Sequence, residues 1–384
     1  MWKFWIDTGG TFTDCLAETP EGDELRLKTL SDSAIRGRLT EQLSPRELRI
    51  DLSVGVGDHF FDGYRVDFHD ETTEPILIKS WRGRDSLAIL FEDAPELPDK
   101  VLCSLQSPEE APLLAIRLLT KRRLNEALPP LEMRLATTRG TNALLEEKGA
   151  KIAFFVTKGF RDLLRIGDQR RPDLFELGIR KRQPLHESVL EVEERLNAEG
   201  EVLAELDEAA LFEQASSCIE EGITTGAIGF LHSYRNPDHE HRAAEILREA
   251  GFERISISSD LAPKIKLLPR AETAVVDAYL APIMEAYLDA VESAVGRSGL
   301  SVMTSSGGLV SRARYRPKDS LLSGPAGGVV GASRVGRVAG AHRVVAFDMG
   351  GTSTDVSRYD GCFDYQFQQI VGNARVFAPS LRIE

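Results

Sequence analysis

The sequence predicts an α/β protein built from two similar domains, the first carrying a small β-rich insert. Three observations predict it. The pattern Asp-x-Gly-Gly-Thr-x-Thr-Asp occurs twice, at residues 7–14 and again at 348–355. From about residue 107 to about 295, buried strand-like runs alternate with stretches of helical period. Between 44 and 105 the apolar runs are short, alternate residue by residue, and are broken by Gly and Pro.

Each copy of the repeat reads as a strand, a tight turn and a returning strand. In the first, Phe4-Trp5-Ile6 lead into Asp7, Gly9-Gly10-Thr11 turn the chain, and Cys15-Leu16-Ala17 return. Leu25 to Lys28 alternates like a third strand. Residues 64–68, 75–79 and 87–91 supply strands of the insert. Ser107 as cap, Pro108 at the first position and Glu109-Glu110 in the first turn open a helix with apolar spacing through Leu119. A strand ending in hydroxyl residues follows at 134–138, then a helix start at Gly140-Thr141-Asn142. Residues 152–157 and 189–195 are strands, and 158–162 turn into a helix. Asp207 caps a helix reaching Glu221, residues 226–231 are a strand, and Asn236-Pro237 cap a helix that stops at Gly251, before a strand at 255–258. The longest helix runs from Thr273 to Val295, with Val276, Leu280, Ile283, Tyr287 and Val291 on its core stripe. A strand at 302–303 enters a Gly-rich turn, and small residues at 322–332 open a further helix before the second hairpin.

Paired glycines lack Cβ atoms, so their backbone N–H groups can approach a phosphate closely, and nearby Thr hydroxyls add donors. Carboxylates at the strand ends, Asp7 and Asp348, suit a hydrated Mg²⁺ beside the phosphates. The alternative is two ordinary hairpins; the matched repetition favours nucleotide binding. The phosphate cradle is then Gly9, Gly10, Thr11 and Thr13 in the first copy and Gly350, Gly351, Thr352, Ser353 and Thr354 in the second. Asp14 and Asp355 brace their turns or reach the metal. Gly324 opens a helix whose small residues suit close approach to a phosphate or to another helix. Thr137, Thr138, Thr141 and Asn142 offer donors and acceptors to a small polar ligand, yet Thr and Asn also cap helices, and both readings stay open. Arg170 or its neighbour Arg171 is either a partner for a substrate carboxylate or a surface arginine before a proline turn. His232, His239 and His241 lie close in sequence, but the last two diverge on a helix, which favours a structural role. The acids and histidines between Asp58 and Asp70 match no metal spacing and read as solvated loops.

At both repeats the chain resembles the hydantoinase/5-oxoprolinase family. The resemblance continues at Thr137-Thr138-Arg139-Gly140-Thr141-Asn142-Ala143-Leu144-Leu145-Glu146, at Thr157-Lys158-Gly159-Phe160-Arg161-Asp162, at His232-Ser233-Tyr234-Arg235-Asn236-Pro237, and at Ser323-Gly324-Pro325-Ala326-Gly327-Gly328. Leu135, where many hydantoinase-type members carry His, looks more like the oxoprolinase branch. The resemblance implies two ribonuclease-H-like domains of the acetate and sugar kinase, heat-shock chaperone and actin fold group, with ATP and Mg²⁺ between them. It implies ATP-dependent opening of a cyclic amide, first of all 5-oxo-L-proline to L-glutamate. Asp7, Asp348, Thr137 and Thr138 would form the catalytic set, Asp7 and Asp348 would hold the metal through water, and Thr141, Asn142 and Arg170 would meet the substrate. A hydantoinase or carboxylase subunit, a small-molecule kinase of the same fold group, and a non-catalytic subunit are the alternatives. No general base is identified. The stretch 44–105 departs from the family, whose members often have a shorter helical link there.

The expected division is 1–205 for an N-terminal domain and 206–384 for the start of a second. Only about forty residues follow His342, too few for a second full domain of this kind. A second polypeptide or a further C-terminal portion is therefore expected, in a homo- or hetero-oligomer. A net charge of −13 with no basic block argues against nucleic acid or an anionic membrane as main partner. No leader-like segment and no apolar run of about 18 residues is present. The four cysteines form no Cys-x-x-Cys and read as reduced thiols of a cytoplasmic protein.

Overall fold

Alternation along the first thirty residues buries one face of each strand and leaves the other to solvent. It produces β1 (Trp2–Thr8), β2 (Phe12–Glu18) and β3 (Glu24–Leu30), with Phe4, Ile6, Cys15 and Ala17 on the buried face. These elements are seen in a computed structural model, which describes residues 1–384 apart from 70–72, 99, 169–174, 176, 179–182, 298, 350–353 and 373. The chain divides into two units. The first comprises Met1–Thr138, Tyr287–Met303 and Leu309–Arg314.

After β3 the chain closes an antiparallel barrel. Its strands are β4 (Ala34–Ser44), β5 (Glu47–Leu52), β6 (Arg65–Asp67), β7 (Ile76–Arg82), β8 (Leu87–Leu90) and β9 (Leu102–Gln106). They are arranged in the order β4-β5-β8-β7-β6-β9. Leu39, Leu48, Ile50, Phe61, Tyr64 and Trp81 fill it, with Phe61 edge-on to Tyr64 and Trp81 at centroid distances of 5.1 and 5.0 Å. Residues 44–105 fall inside this barrel. Its acids hold turns. Asp58 accepts from Gly83 N at 2.8 Å, Asp62 from Trp81 N at 2.7 Å and Asp67 from His69 N at 2.8 Å. Asp70 lies outside the described residues.

The helix α1 (Ala111–Thr120) begins later than Ser107 suggests. Ser107 Oγ accepts from Glu109 N at 3.1 Å in a turn of its own, and Glu110 is still extended. Pro112, rather than Pro108, occupies the first helical turn. The strand β10 (Leu131–Thr137) then runs parallel to β1. With β17 (Leu300–Met303) and β18 (Leu309–Ser311) the sheet is six-stranded, in the order β18-β17-β10-β1-β2-β3. The β1–β10 and β10–β17 pairs are parallel, and the others are antiparallel. Before β17 runs α7 (Leu267–Val295), the longest helix. It starts six residues ahead of Thr273 because Pro269 fits the first turn of a helix, where no N–H is needed.

The second unit comprises Arg139–Ala286, Thr304–Gly308 and Tyr315–Glu384. It opens with α2 (Arg139–Leu145) and contains β11 (Ile152–Thr157), β12 (Ser188–Val192), β15 (Thr225–Gly229) and β16 (Arg254–Ile257). These four form a wholly parallel sheet in the order β12-β11-β15-β16. Every residue of β11 is buried, as an unbroken apolar run requires of a strand covered on both faces. The short α3 (Leu163–Ile166), β13 (Arg195–Leu196) and β14 (Val202–Ala204) lie in the connections. Asp207 caps α4 (Glu208–Glu220) through Ala210 N at 3.0 Å, and Gly251, at φ 112°, ends α5 (Asp238–Ala250). Ser258 enters α6 (Ser258–Leu261) instead of prolonging β16. Phe155, Leu211, Phe230, Leu247 and Phe252 make the core.

Farther on, α8 (Ser323–Val338) packs on a hairpin of β19 (Arg343–Met349) and β20 (Thr354–Asp360). A Cβ on Gly336 would overlap Val344, so glycine sets that close approach. Two small ladders follow, β21 (Tyr365–Gln366) with β24 (Ser380–Leu381) and β22 (Gln369–Val371) with β23 (Ala374–Val376). No described helix is long and apolar enough to cross a membrane.

Candidate functional site

The Gly-Gly-Thr turn between β1 and β2 is tight. Gly9 N donates to Phe12 O at 3.0 Å, and a Cβ on Gly9 would stand 3.1 Å from that same oxygen. Gly10 and Thr11 are exposed at the tip. Alternation then sorts the side chains. Asp7 and Asp14 stand directly opposite each other on the solvent face, and both oxygens of Asp14 accept from Lys28 Nζ at 3.0 Å. Thr13 faces the other way. It is completely buried, its hydroxyl 3.0 Å from Ser31 Oγ, so it supports the turn from inside.

Two of the predicted threonines lock the adjoining strand end to this turn. Thr137, fully buried, is the register partner of Thr8. Thr138 donates to Thr8 O from its N at 2.9 Å and from its Oγ1 at 3.3 Å. Tyr287 OH donates to Thr8 Oγ1 at 3.3 Å.

The second hairpin repeats the register. Asp348 stands directly opposite Asp355, and Met349 opposite Thr354. Burial, and then the charge of Asp348, hold the Asp355 carboxyl above the usual carboxylate range. The two carboxylates are hard oxygen donors facing each other in the ladder, but among the described residues no group of three or more His, Cys, Asp or Glu side chains is placed to hold a metal ion. Gly350, Gly351, Thr352 and Ser353 lie outside the described residues, as does Arg170.

Two helix starts meet in the second unit. Leu322, in left-handed backbone at φ 60°, precedes α8 and donates its N–H to Thr141 Oγ1 at 3.2 Å. Beside it, a Cβ on Gly140 would overlap Ser320 Oγ, which brings α2 against the 3-10 turn Pro317–Ser320. Thr141, predicted for substrate, thus meets the residue two positions before Gly324, predicted for phosphate, with Asn142 half-buried in the first turn of α2. Helix N-termini present backbone N–H groups, so the convergence suits an anionic or strongly polar ligand.

Sequence reasoning missed a buried polar network at the carboxyl ends of β11 and β15. Glu194 accepts from the Thr157 hydroxyl and from His239 Nδ1, the latter at 2.9 Å, while Leu231 N donates to Thr157 Oγ1 at 2.8 Å. Glu240 accepts from Phe230 N, Ser233 Oγ, Ser258 Oγ and Ser259 N at 2.7 to 2.9 Å and faces the buried Arg270 at 3.6 Å. His241 instead reaches Asp260 at 2.8 Å. The available signal was a lone acid or arginine inside an otherwise apolar helical face, since such a group is buried only when it is paired.

Comparison with known proteins adds the lineage. Residues 96–251 match the hydantoinase/oxoprolinase N-terminal region, and residues 270–384 match hydantoinase/oxoprolinase. The chain belongs to the hydantoinase/oxoprolinase family. Over 63% of its length this family member is 39% identical to a 5-oxoprolinase of Saccharomyces cerevisiae and 40% identical to 5-oxoprolinase 1 of Arabidopsis thaliana, spanning 21% of each. It is 32% identical to the caprolactamase subunit alpha of Pseudomonas jessenii, over 57% of its own length and 33% of that subunit. Nucleotide-free acetone carboxylase superposes with a TM-score of 0.70 and the ATP-dependent caprolactamase from Pseudomonas jessenii with 0.67. Each is 22% identical, covering all of this chain and 47% of the other. The fold is hydantoinase-like α/β.

Proposed function

We propose that this chain forms the nucleotide-binding portion of an ATP-dependent cyclic amide hydrolase acting on 5-oxo-L-proline. The observation that carries the reading is the duplicated turn, in which Asp7 opposes Asp14 and Asp348 opposes Asp355 in matching registers. The two 5-oxoprolinases at 39% and 40% identity support the substrate. We also infer membership of the ribonuclease-H-like fold group. An antiparallel trio β1–β2–β3 followed by parallel β10 and β17 supports that grouping.

In this reading the Gly-Gly-Thr turns cradle phosphates through backbone N–H groups. Asp7 in the first copy and Asp348 in the second would hold Mg²⁺ through water, and the ion would offset charge on the phosphoryl oxygens. Thr141, Asn142 and Arg170 orient the lactam and its carboxylate. An amide oxygen is a poor leaving group. Transfer of the γ-phosphoryl to the lactam oxygen releases ADP and activates the carbon. Water adds there, the C–N bond breaks as nitrogen takes a proton, and a second water releases phosphate from the acyl phosphate. Positioning and electrostatic stabilisation supply most of the acceleration.

The test is ADP release by the chain, together with the remaining family polypeptide, in Mg²⁺ and ATP. We expect release to require 5-oxo-L-proline and to fall by about 100-fold or more in Asp348→Ala. Turnover indifferent to the lactam, or a phosphorylated product with its ring intact, would sink the proposal. The likeness to a caprolactamase subunit favours a second reading, a larger lactam, so caprolactam belongs in the same assay.

A further inference from the structure

The hairpin of β22 and β23 is tied to two stretches of the second unit that are predicted to meet substrate. α2 carries Thr141 and Asn142 in its first turn and packs on β22. At the hairpin turn, a Cβ on Gly372 would stand 2.9 Å from Leu145 Cδ2, at the other end of that helix. On β23, Arg375 donates to both oxygens of Glu272 at 2.7 Å and also reaches Asp168, two residues before Arg170 in the sequence. Phe377 N donates to Thr273 Oγ1 at 2.9 Å, which fixes the end of the hairpin to α7.

Alternation sends Gln369 and Val371 of β22 to the covered face and leaves Ile370 between them 63% exposed. Gln369 is 3% exposed, and neither its Oε1 nor its Nε2 has a hydrogen-bond partner among the described residues. Buried amides are almost always paired, because a polar group taken from water without a new partner destabilises the fold. The chemistry of the missing partner is narrow. A carboxamide offers one donor and one acceptor side by side. Its match is an amide whose own N–H and C=O lie on the same side. A peptide bond in a chain is trans, and these two groups point opposite ways. Closure of a small ring forces the amide cis, so a lactam presents both together and closes two hydrogen bonds with one carboxamide.

We propose that Gln369 recognises the ring amide of the substrate, its Oε1 accepting from the lactam N–H and its Nε2 donating to the lactam oxygen. The inference rests on the reading of this chain as part of a cyclic amide hydrolase, and adds the side chain that tells a ring amide from a linear one. The lactam oxygen has two lone pairs, so one stays open to the phosphoryl group. Ring opening leaves an ammonium and a carboxylate in place of the amide, and the product no longer matches the carboxamide. Both amide atoms are covered, so the lactam reaches them as β22 moves off α2. The ladder is only three residues long, and short ladders at the edge of a fold open readily.

The test is calorimetric titration of the 384-residue chain with 5-oxo-L-proline, with caprolactam, and with the lactone that has a ring oxygen in place of the 5-oxo-L-proline N–H. The parent should bind its lactam at least about tenfold more tightly than the lactone, which lacks the donor. Gln369→Met keeps an unbranched side chain of similar length and drops the amide. It should weaken lactam binding at least about tenfold and hold lactam and lactone alike. The same substitution should raise the urea midpoint, because a buried polar group without a partner is removed. A lowered midpoint would mean that the amide serves the fold, for instance by holding a buried water, and would overturn the proposal. A parent without preference for lactam over lactone would overturn it independently of any variant. Undiminished lactam binding by Gln369→Met would overturn it while leaving the substrate reading intact. Binding of caprolactam alone, lost in Gln369→Met, would support the proposal and sink the choice of 5-oxo-L-proline. A parent that binds neither lactam would overturn both.

Discussion

In the first hairpin, Lys28 binds both oxygens of Asp14, β10 pairs along the edge of β1, and α1 packs against the strands. In the second, Asp355 feels the charge of Asp348, and the matching apolar face meets solvent. The eight shared residues set the turn, the register and the side on which each side chain stands. What those side chains meet is decided by elements far away in the chain. A repeated motif therefore predicts local backbone twice over, while burial and charge pairing follow only where the surrounding strands exist.

The largest expected effect probes that burial. Ile6→Ala should lower stability by about 2–5 kcal/mol, while Phe347→Ala, at the equivalent position, should change it by no more than about 0.5 kcal/mol. Urea unfolding of both variants measures the difference, and equal losses would erase the contrast. A smaller effect sharpens the distinction between glycines that serve a turn and those that serve a neighbour. Gly140→Ala forces α2 away from Ser320 and should cost about 1–3 kcal/mol, more than Gly9→Ala, read from the same urea midpoints.

The smallest effect concerns the carboxylates. Asp14→Asn removes a half-exposed ion pair worth about 0.2–1 kcal/mol. Asp355 behaves oppositely. Its folded carboxyl binds protons more readily than the unfolded one, so its charge opposes folding, and stability falls as pH rises from the ordinary carboxylate range through the raised value. Asp355→Asn should flatten that segment of the stability–pH curve and leave neutral-pH stability equal or slightly higher. A steeper curve in the variant would reverse the assignment.

Much of this architecture was legible. The hairpins follow from a Gly-Gly-Thr turn between alternating runs, α4 from Asp207 as cap, and the end of α5 from Gly251. The stripe Val276–Leu280–Ile283–Tyr287 marks α7. Local signals misled where two were available: Ser107-Pro108 looks like a helix start, but Pro112 is the proline that α1 uses. Closure of the barrel was not legible, because β4 pairs with β9 across some sixty intervening residues and no local pattern encodes that partner. At the site, the Thr141–Leu322 bond joins segments 181 residues apart that sequence could only treat separately. The Glu194–His239 and Glu240–Arg270 pairs were hidden for the same reason.

The barrel carries one more consequence. Ala34 of β4 and Gln106 of β9 are register partners, and Ser107 N donates to Ser33 O at 2.9 Å. The chain thus leaves β3 and returns toward α1 at a single point, and the barrel core in between is completed by Leu114 of α1. For protein engineering, residues 34–106 are bounded like a cassette whose removal also uncovers Leu114 and Leu118 of α1. A linker of about four residues can bridge Ser33 to Ser107 without rerouting the polypeptide between β3 and α1, and the same two ends suit grafting of the barrel into a surface loop of another host.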